Sequence, residues 1–245
     1  MELRGRVAAI TGGASGIGRA TVRVFGELGA RVFAGDLDTA GARAACEELG
    51  GACVGSHLDV TDPASVEAFA RGVLDSAGRI DVVVNAAGWD RLEPFLENTP
   101  DFWQRVVEVD YLGPVRVCRA FLPAMIEAGR GAIVNVASDA GRVGSIGETV
   151  YAGAKGAAIA FTKSLAREMA RRGIRVNCVS PGPTDTPLFR SLPGKMQRAL
   201  EAAIPFRRLA RPEEVADAIA FFGSDRSSFC TGQVLSVSGG LTMAG

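Results

Sequence analysis

The chain carries a single histidine, His57, among its 245 residues. That scarcity removes a Ser-His-Asp triad, His-based hydride chemistry and most zinc sites together. Cysteine gives no metal or redox signal either. Cys46, Cys53, Cys118, Cys178 and Cys230 show no C-x-x-C spacing, sit in apolar surroundings and are odd in number, so they are expected to be reduced packing residues. No metal site is expected. An excess of one charge is also missing: 27 basic residues balance 27 acidic ones, and aromatics make up only 7%. Neither an electrostatic footprint nor a set of stacking platforms is left for nucleic acid. Apolar runs stop at strand length, well short of the roughly 18 residues of a membrane span. Met1-Glu2-Leu3-Arg4-Gly5 has no apolar leader core. A cytoplasmic protein with no membrane or nucleic-acid partner is expected.

With 47% hydrophobic and 22% charged residues, the chain is long enough for one large domain. No linker, repeat or low-complexity tract divides it. Apolar runs near 6–11, 31–36, 52–58, 80–85, 131–137, 174–180 and 232–237 alternate with helical segments. Continuously apolar strands separated by helices predict a parallel sheet covered on both faces. Asp62-Pro63 reads as an N-cap followed by proline in the first turn, predicting a helix from 63 to about 77. Ligands in such sheets bind beyond the carboxyl ends of the strands. Gly12, Asp36, Asp59, Asn85, Ser138 and Pro181 all fall there.

The first strand runs into Thr11-Gly12-Gly13-Ala14-Ser15-Gly16-Ile17-Gly18 and then a helical pattern. Glycines let a backbone approach a pyrophosphate, and a helix N-terminus presents free N–H groups to it. The spacing is looser than G-x-G-x-x-G, and a glycine turn alone is often only a turn. The second strand, however, ends in Asp36. A carboxylate there can accept both hydrogen bonds of an adenosine ribose diol and repel a 2′-phosphate, which favours NAD over NADP.

Tyr151 and Lys155 lie four apart in a segment, 148–172, that reads as a helix, so phenol and ammonium share a face. A phenol of pKa about 10 is a poor base at neutral pH, and a fixed cation nearby is expected to pull it toward the working range. Ser138 follows the strand Ala132-Ile133-Val134-Asn135-Val136-Ala137 and could hold the same substrate oxygen. Such a trio exchanges one proton with an alcohol or ketone. Tyr and Lys at this spacing are also common packing residues; the surrounding motifs give the pair its weight.

In order and spacing, the glycine loop 11–18, Asp36, Asp59 after His57-Leu58, Asn85-Ala86-Ala87-Gly88, Ser138, Tyr151-x3-Lys155 and Pro181-Gly182 with Thr186 resemble the short-chain dehydrogenase/reductase family over essentially the whole chain. The resemblance implies an α/β fold: one doubly wound Rossmann domain, 1–245, with a seven-stranded parallel sheet in the order 3-2-1-4-5-6-7 and helices on both faces. It implies an NAD-dependent oxidoreductase with a substrate lid at about 187–209. It also implies a homotetramer assembled through the helices holding Asp110 and Tyr151 and through the C-terminal strand, with the glycine-rich tail 239–245 against a neighbour.

The family places Gly12, Ser15, Gly16, Ile17 and Gly18 at the pyrophosphate, Asp36 at the ribose, and Asp59 with Val60 at the adenine. Asn85 would bridge the first and fourth strands while Ala86 and Gly88 let the adenosine lie on the backbone. Tyr151 and Lys155 would meet the nicotinamide ribose, and Pro181, Gly182, Thr184 and Thr186 the carboxamide. In catalysis Tyr151 would exchange the proton, Lys155 would lower its pKa, and Ser138 would orient the substrate oxygen.

One departure is chemical. Asp110, in Val109-Asp110-Tyr111-Leu112-Gly113, stands where the family usually has asparagine, whose main-chain carbonyl extends a proton relay from the lysine. Either that backbone role survives or the added charge retunes the relay; survival is the expectation.

Trp89, Ser138, Arg142 and Tyr151 are the candidate substrate contacts. The lid segment 187–209 holds Arg190, Lys195, Arg198, Arg207 and Arg208 against a single acid, Glu201. Such a run is either a solvated helix face or a site for an anionic substrate. Segments around Gly88-Trp89-Asp90, Ser138–Glu148 and 181–186 and the tail resemble dehydrogenases of 2-hydroxycyclohexanecarboxyl-CoA, which implies an acyl-CoA thioester substrate. A 3-oxoacyl carrier-protein reductase, a sugar or polyol dehydrogenase and a nucleotide-binding scaffold with an idle site remain the alternatives.

Overall fold

The computed structural model describes residues 2–47 and 49–243. The seven apolar runs form β1 (Val7–Thr11), β2 (Arg31–Asp36), β3 (Cys53–His57), β4 (Val82–Asn85), β5 (Gly131–Val136), β6 (Ile174–Pro181) and β7 (Val234–Val237). All neighbours pair in parallel, in the order β3-β2-β1-β4-β5-β6-β7. The reversal of winding between β1 and β4 sets Thr11 beside Asn85 and opens the crevice in which such sheets bind ligands.

Two apolar layers cover the sheet. On one face α1 (Gly16–Glu27), α2 (Thr39–Glu47) and α10 (Pro212–Gly223) bury Val22, Phe25, Val215, Ile219 and Phe222 against the strands. On the other, α3 (Pro63–Ala77), α5 (Gly113–Ala128) and α7 (Thr149–Met169) bury Phe69, Phe121, Met125 and Leu165. Full burial of a side chain of this size contributes about 1.5–3 kcal/mol, and strands apolar on both faces suit this double cover. The chain has the Rossmann architecture that its sequence pattern implies.

Local signals hold where the chemistry is local. Asp62 caps α3 by accepting from the Ala64 and Ser65 amides, with Pro63 in the first turn and Gly78 left-handed at the C-terminus. The helix α4 (Pro100–Val107) leads into a π turn at Glu108–Leu112 before α5, so the long helix is interrupted at Asp110. Shorter helices α6 (Ala140–Val143), α8 (Pro187–Arg190) and α9 (Gly194–Ala203) lie after β5 and β6. Among the described residues no helix is long and apolar enough to cross a membrane.

The five cysteines are not all reduced packing residues. Cys46 at the end of α2 and Cys53 at the start of β3 form a disulfide, which corrects that expectation. The return from α2 to β3 brings their Cα atoms within 4.9 Å, a proximity that no local spacing rule reports. Cys118 and Cys178 are buried thiols whose pKa values burial pushes up to about 12 and about 11.

Candidate active site

The glycine loop closes on itself by contact. A Cβ on Gly12, whose φ is +71°, would come within 2.8 Å of the Ala87 amide nitrogen, and one on Gly18 would collide with the Gly12 carbonyl. Thr11 Oγ1 accepts from the Ala86 and Ala87 amides at 3.1 and 3.0 Å, tying β1 to the turn after β4. The Ser15 hydroxyl makes no capping bond to α1, so the helix offers its first amides to an anion. This cradle fits a dinucleotide pyrophosphate. Asp36 stands beside it, accepting from the Ala14 amide at 3.0 Å and the Asp38 amide at 2.9 Å. Asp38 is a second carboxylate at the same corner, its Oδ1 accepting from the Gly41 amide.

Other expected cofactor positions prove to be partly committed within the chain. The Asp59 carboxylate accepts from the Thr61 amide and hydroxyl at 2.8 and 2.7 Å. Burial alone would raise it, but these bonds hold it below the usual carboxylate range. Val60 is buried against Gly113.

Asn85 pairs with Thr11 of β1 through its backbone, but its side chain does not make the bridge. Its amide donates to Asn135 Oδ1 at 2.8 Å on β5 and toward Cys118, and Thr11 makes the bridge instead. Thr186 Oγ1 caps α8 through the Phe189 amide at 3.2 Å, while its methyl lies where a Gly16 Cβ would be only 3.2 Å away. The residue expected at the carboxamide is thus also the joint between the glycine loop and α8. Thr184 pairs with Ala210, closing the base of the 187–209 segment beyond Pro181 and Gly182. A cavity of about 290 Å³ lies between that base and α1, with Gly16, Arg19, Pro187 and Arg190 among its walls.

The proton-handling group gathers on α7. Tyr151 and Lys155 share a face as the helical period requires, with Nζ 5.5 Å from the phenol ring centroid. Ser138 hydrogen-bonds the phenol and accepts from the Ala140 amide at 3.1 Å. Lys155 is buried, and its ammonium contacts Asp110 Oδ1 at 3.1 Å and donates to the Val136 carbonyl at 3.0 Å. A Cβ on Gly88 would meet Asp110 Oδ1 at 3.0 Å, so glycine there makes room for this pair.

The environment reverses one expectation. Tyr151 keeps some surface open, yet packing around its phenol, together with the carboxyls of Asp110, Glu148 and Asp90, pushes its pKa well above 10. Lys155 is itself engaged by Asp110 and the Val136 carbonyl. The Asp110 side chain, where the family usually has asparagine, thus meets Lys155 directly. Asp110 is fully buried, and burial raises its pKa against the opposing pull of Lys155. It also accepts from the Trp89 amide at 3.3 Å.

Trp89 packs on Phe102 and lies under Arg105, forming the apolar wall beside Tyr151. Arg142 is held from α6 by Asp139 at 3.4 Å, and Asp139 in turn accepts from Ser236. Asp90, Glu148 and Asp139 fall in segments that carry the sequence resemblance but are not singled out by it as site residues. Glu148 precedes Tyr151 by three residues, a helical-face spacing that could have exposed it. Asp90 sits in a loop and carries no periodic signal.

The net charge around segment 187–209 is smaller than its own sequence suggests. Arg190 pairs with Asp185 at 2.7 Å and Arg208 with Glu214 at 2.7 Å, both acids lying just outside 187–209. Arg207 donates to the Ala202 carbonyl. Phe189 and Ile204 are buried and pin the segment down.

Residues 12–242 match the model of a family described as enoyl-(acyl carrier protein) reductase. A 3-oxoacyl-(acyl-carrier-protein) reductase FabG of Thermotoga maritima is 41% identical over 99% of this chain and 100% of its own. A cis-4-hydroxycyclohexanecarboxylate dehydrogenase of Sinomonas cyclohexanicum is 42% identical over 97% of this chain and 96% of its own. The crystal structure of gox2181 matches with a TM-score of 0.93 at 34% identity, covering 98% of this chain and 96% of that one.

Proposed function

The chain belongs to the short-chain dehydrogenase/reductase family, whose members act on CH–OH groups with a nicotinamide cofactor, and we propose on that premise that it is an NAD-dependent enzyme interconverting the hydroxyl and ketone of a 3-hydroxyacyl thioester. The observation that carries the choice of NAD is the acidic corner of Asp36 and Asp38, which would repel a 2′-phosphate.

A bound nicotinamide supplies or accepts the hydride. Around it, the amides of Ser15, Gly16, Ile17 and Gly18 hold the pyrophosphate, Asp36 the ribose diol, and Asp59 with Val60 borders the adenine. Ala86 and Gly88 leave room for the adenosine ribose, and Asn85 fixes the β4 end behind them. Pro181, Gly182, Thr184 and Thr186 frame the carboxamide. Tyr151, held protonated by its acidic surroundings, donates to the ketone oxygen in reduction; Ser138 orients that oxygen, and Trp89 and Arg142 line the acyl side. In this resting form the site is poised as a proton donor.

Support for the thioester comes from the acyl-carrier-protein relative and from Lys195 and Arg198 on α9; support for an alicyclic acyl group comes from the cyclohexanecarboxylate relative. The same relatives favour, as a second reading, reduction of a carrier-protein thioester. We read the described residues as one domain with 187–209 as its lid. Exposed apolar side chains at Phe95 and Leu96 before α4 and at Leu235 on the edge strand β7 support a homotetramer. Sedimentation at micromolar concentration giving a monomer mass would oppose that assembly.

The deciding assay follows absorbance of the reduced cofactor with NAD and NADP against 3-hydroxybutyryl-CoA, 2-hydroxycyclohexanecarboxyl-CoA, cis-4-hydroxycyclohexanecarboxylate, acetoacetyl carrier protein and simple polyols. Preferred turnover of the CoA esters with NAD supports the proposal. Equal turnover of free acids or polyols removes the thioester.

A further inference from the structure

Nothing in the reaction scheme above uses the Cys46–Cys53 disulfide, yet it closes the helix that follows the acidic cofactor corner. α2 is nine residues long, and its buried residues are the small Ala42, Ala45 and Cys46. A helix this short is marginal alone, and three small side chains offer little apolar area to hold it. Attachment at both ends holds it. At its start, Asp38 Oδ1 accepts from the Gly41 amide at 2.9 Å and the Asp38 carbonyl from the Ala42 amide at 3.0 Å. Thr39 Oγ1 lies 3.4 Å from His57 Nδ1 at the end of β3. At its finish, the disulfide ties Cys46 to the first residue of β3. Between these anchors glycine lets helix and strand touch: a Cβ on Gly55 would come within 2.5 Å of the Ala42 carbonyl carbon.

The first anchor is also the ribose corner. The Asp38 amide donates to Asp36 Oδ1 at 2.9 Å, and the Leu58 amide, next to Asp59, donates to the Asp36 carbonyl at 2.9 Å. Asp36 is therefore aimed by contacts that run through α2 and β3 together. Both cysteines are buried, but the return between them, Gly50–Ala52, is exposed, and a Cβ on Gly50 or Gly51 would meet only open space. A turn packed this lightly opens readily and admits a small thiol to the sulfurs.

Resting on the NAD reading, we propose that Cys46 and Cys53 are a reversible thiol–disulfide site that sets cofactor affinity. Closed, it clamps α2 and so fixes the Asp36–Asp38 corner for NAD; opened by a dithiol, it lets that corner loosen. One thiolate of the dithiol attacks a sulfur, breaks the Cys46–Cys53 bond and forms a mixed disulfide, from which its second thiolate displaces the remaining cysteine. Two electrons and two protons pass from the dithiol, which becomes a cyclic disulfide, to the two cysteines, which become thiols. Oxidised glutathione runs the exchange backward and leaves two reduced glutathiones. No electron passes to or from the nicotinamide.

The test compares the two forms of the wild-type protein. Thiol titration in denaturant should count three thiols after equilibration with oxidised glutathione and five after dithiothreitol. Fluorescence titration should find NADH bound about five- to tenfold more weakly by the reduced form, with a narrower preference for NADH over NADPH, because the corner is no longer held ready. Ser138, Tyr151 and Lys155 lie on and after β5, outside the clamped elements, so kcat with acetoacetyl-CoA at saturating NADH should stay within about twofold. The double variant Cys46→Ala/Cys53→Ala should bind NADH as the reduced protein does and ignore the dithiol, whereas Cys230→Ala should respond as wild type does.

Five thiols after oxidised glutathione, or equal NADH affinity in the two forms, overturns the proposal. A second readout needs no cofactor. The Gly41 and Ala42 amides should exchange hydrogen faster in the reduced form, and equal exchange also overturns the clamp. Failure of both forms to bind NADH or NADPH would instead remove the nicotinamide reading, and the exchange rates alone would then decide whether the disulfide holds α2.

Discussion

Asp110→Asn separates the two accounts of how the buried lysine serves the tyrosine. In wild type the Lys155 ammonium lies 5.5 Å from the Tyr151 ring centroid but is matched by Asp110 at 3.1 Å, so its field at the phenol is largely cancelled. Replacing the carboxylate by an amide removes the opposing charge. It keeps an oxygen that can accept from Lys155 and from the Trp89 amide, so the lysine has reason to stay in place. An uncompensated unit charge at that distance is worth about 3 kcal/mol at an effective dielectric constant of about 20, or about two pKa units.

The tyrosine pKa moves down, because a nearby cation favours phenolate and one repelling carboxylate has gone. The pH profile of kcat for oxidation of 3-hydroxybutyryl-CoA with NAD should therefore shift its rising limb toward acid by one to two units. The position of the limb is the measurement. Thermal or urea unfolding should show a cost of about 1–3 kcal/mol for leaving the buried ammonium without its full partner. An unmoved limb, or one moved toward base, would refute the claim that the Asp110 charge sets the tyrosine.

Tyr151→Phe should lower kcat by about two to four orders of magnitude while a fluorescence titration finds NADH binding near that of wild type, since the hydroxyl moves the proton and does not hold the cofactor. Retained turnover would remove Tyr151 from the chemistry. Asp36→Ala should raise kcat/KM with NADP relative to NAD by about tenfold or more, because a repelling carboxylate and a ribose contact are lost together; an unchanged ratio would move discrimination to Asp38. Paired alanine substitution of Lys195 and Arg198 should raise KM for CoA esters and leave small alcohols unaffected. These two are better probes than Arg207 and Arg208, since Arg208 is already engaged by Glu214, whose pKa that bond, with the Arg211 amide, lowers to about 2.

Much of this molecule is written in short-range pattern. Alternating apolar strands and helical segments determined a parallel sheet, because strands covered on both faces leave no polar face to read. Asp62-Pro63 marked the start of α3, and the period of 3.6 placed Tyr151 and Lys155 together, since these depend on neighbours within one turn. The glycine loop and Asp36 were equally legible, as strand ends and helix starts fix where they point.

Tertiary structure decided what required residues distant in sequence. Asp110 meets Lys155 only because the π turn and α7 pack side by side, and that meeting, not the i, i+4 spacing, determines where the lysine's charge goes. The Asn85 side chain finds Asn135 on β5 by the same means, while Cys46–Cys53 and Arg208–Glu214 meet across short returns of the chain that no helical or strand period marks. Asp90 becomes a buried acid as the loop after β4 folds against the segment preceding α7, where the Glu93 amide donates to the Gly147 carbonyl. Sequence assigns each group its ordinary charge; burial and the neighbours supplied by folding decide which of them keeps it.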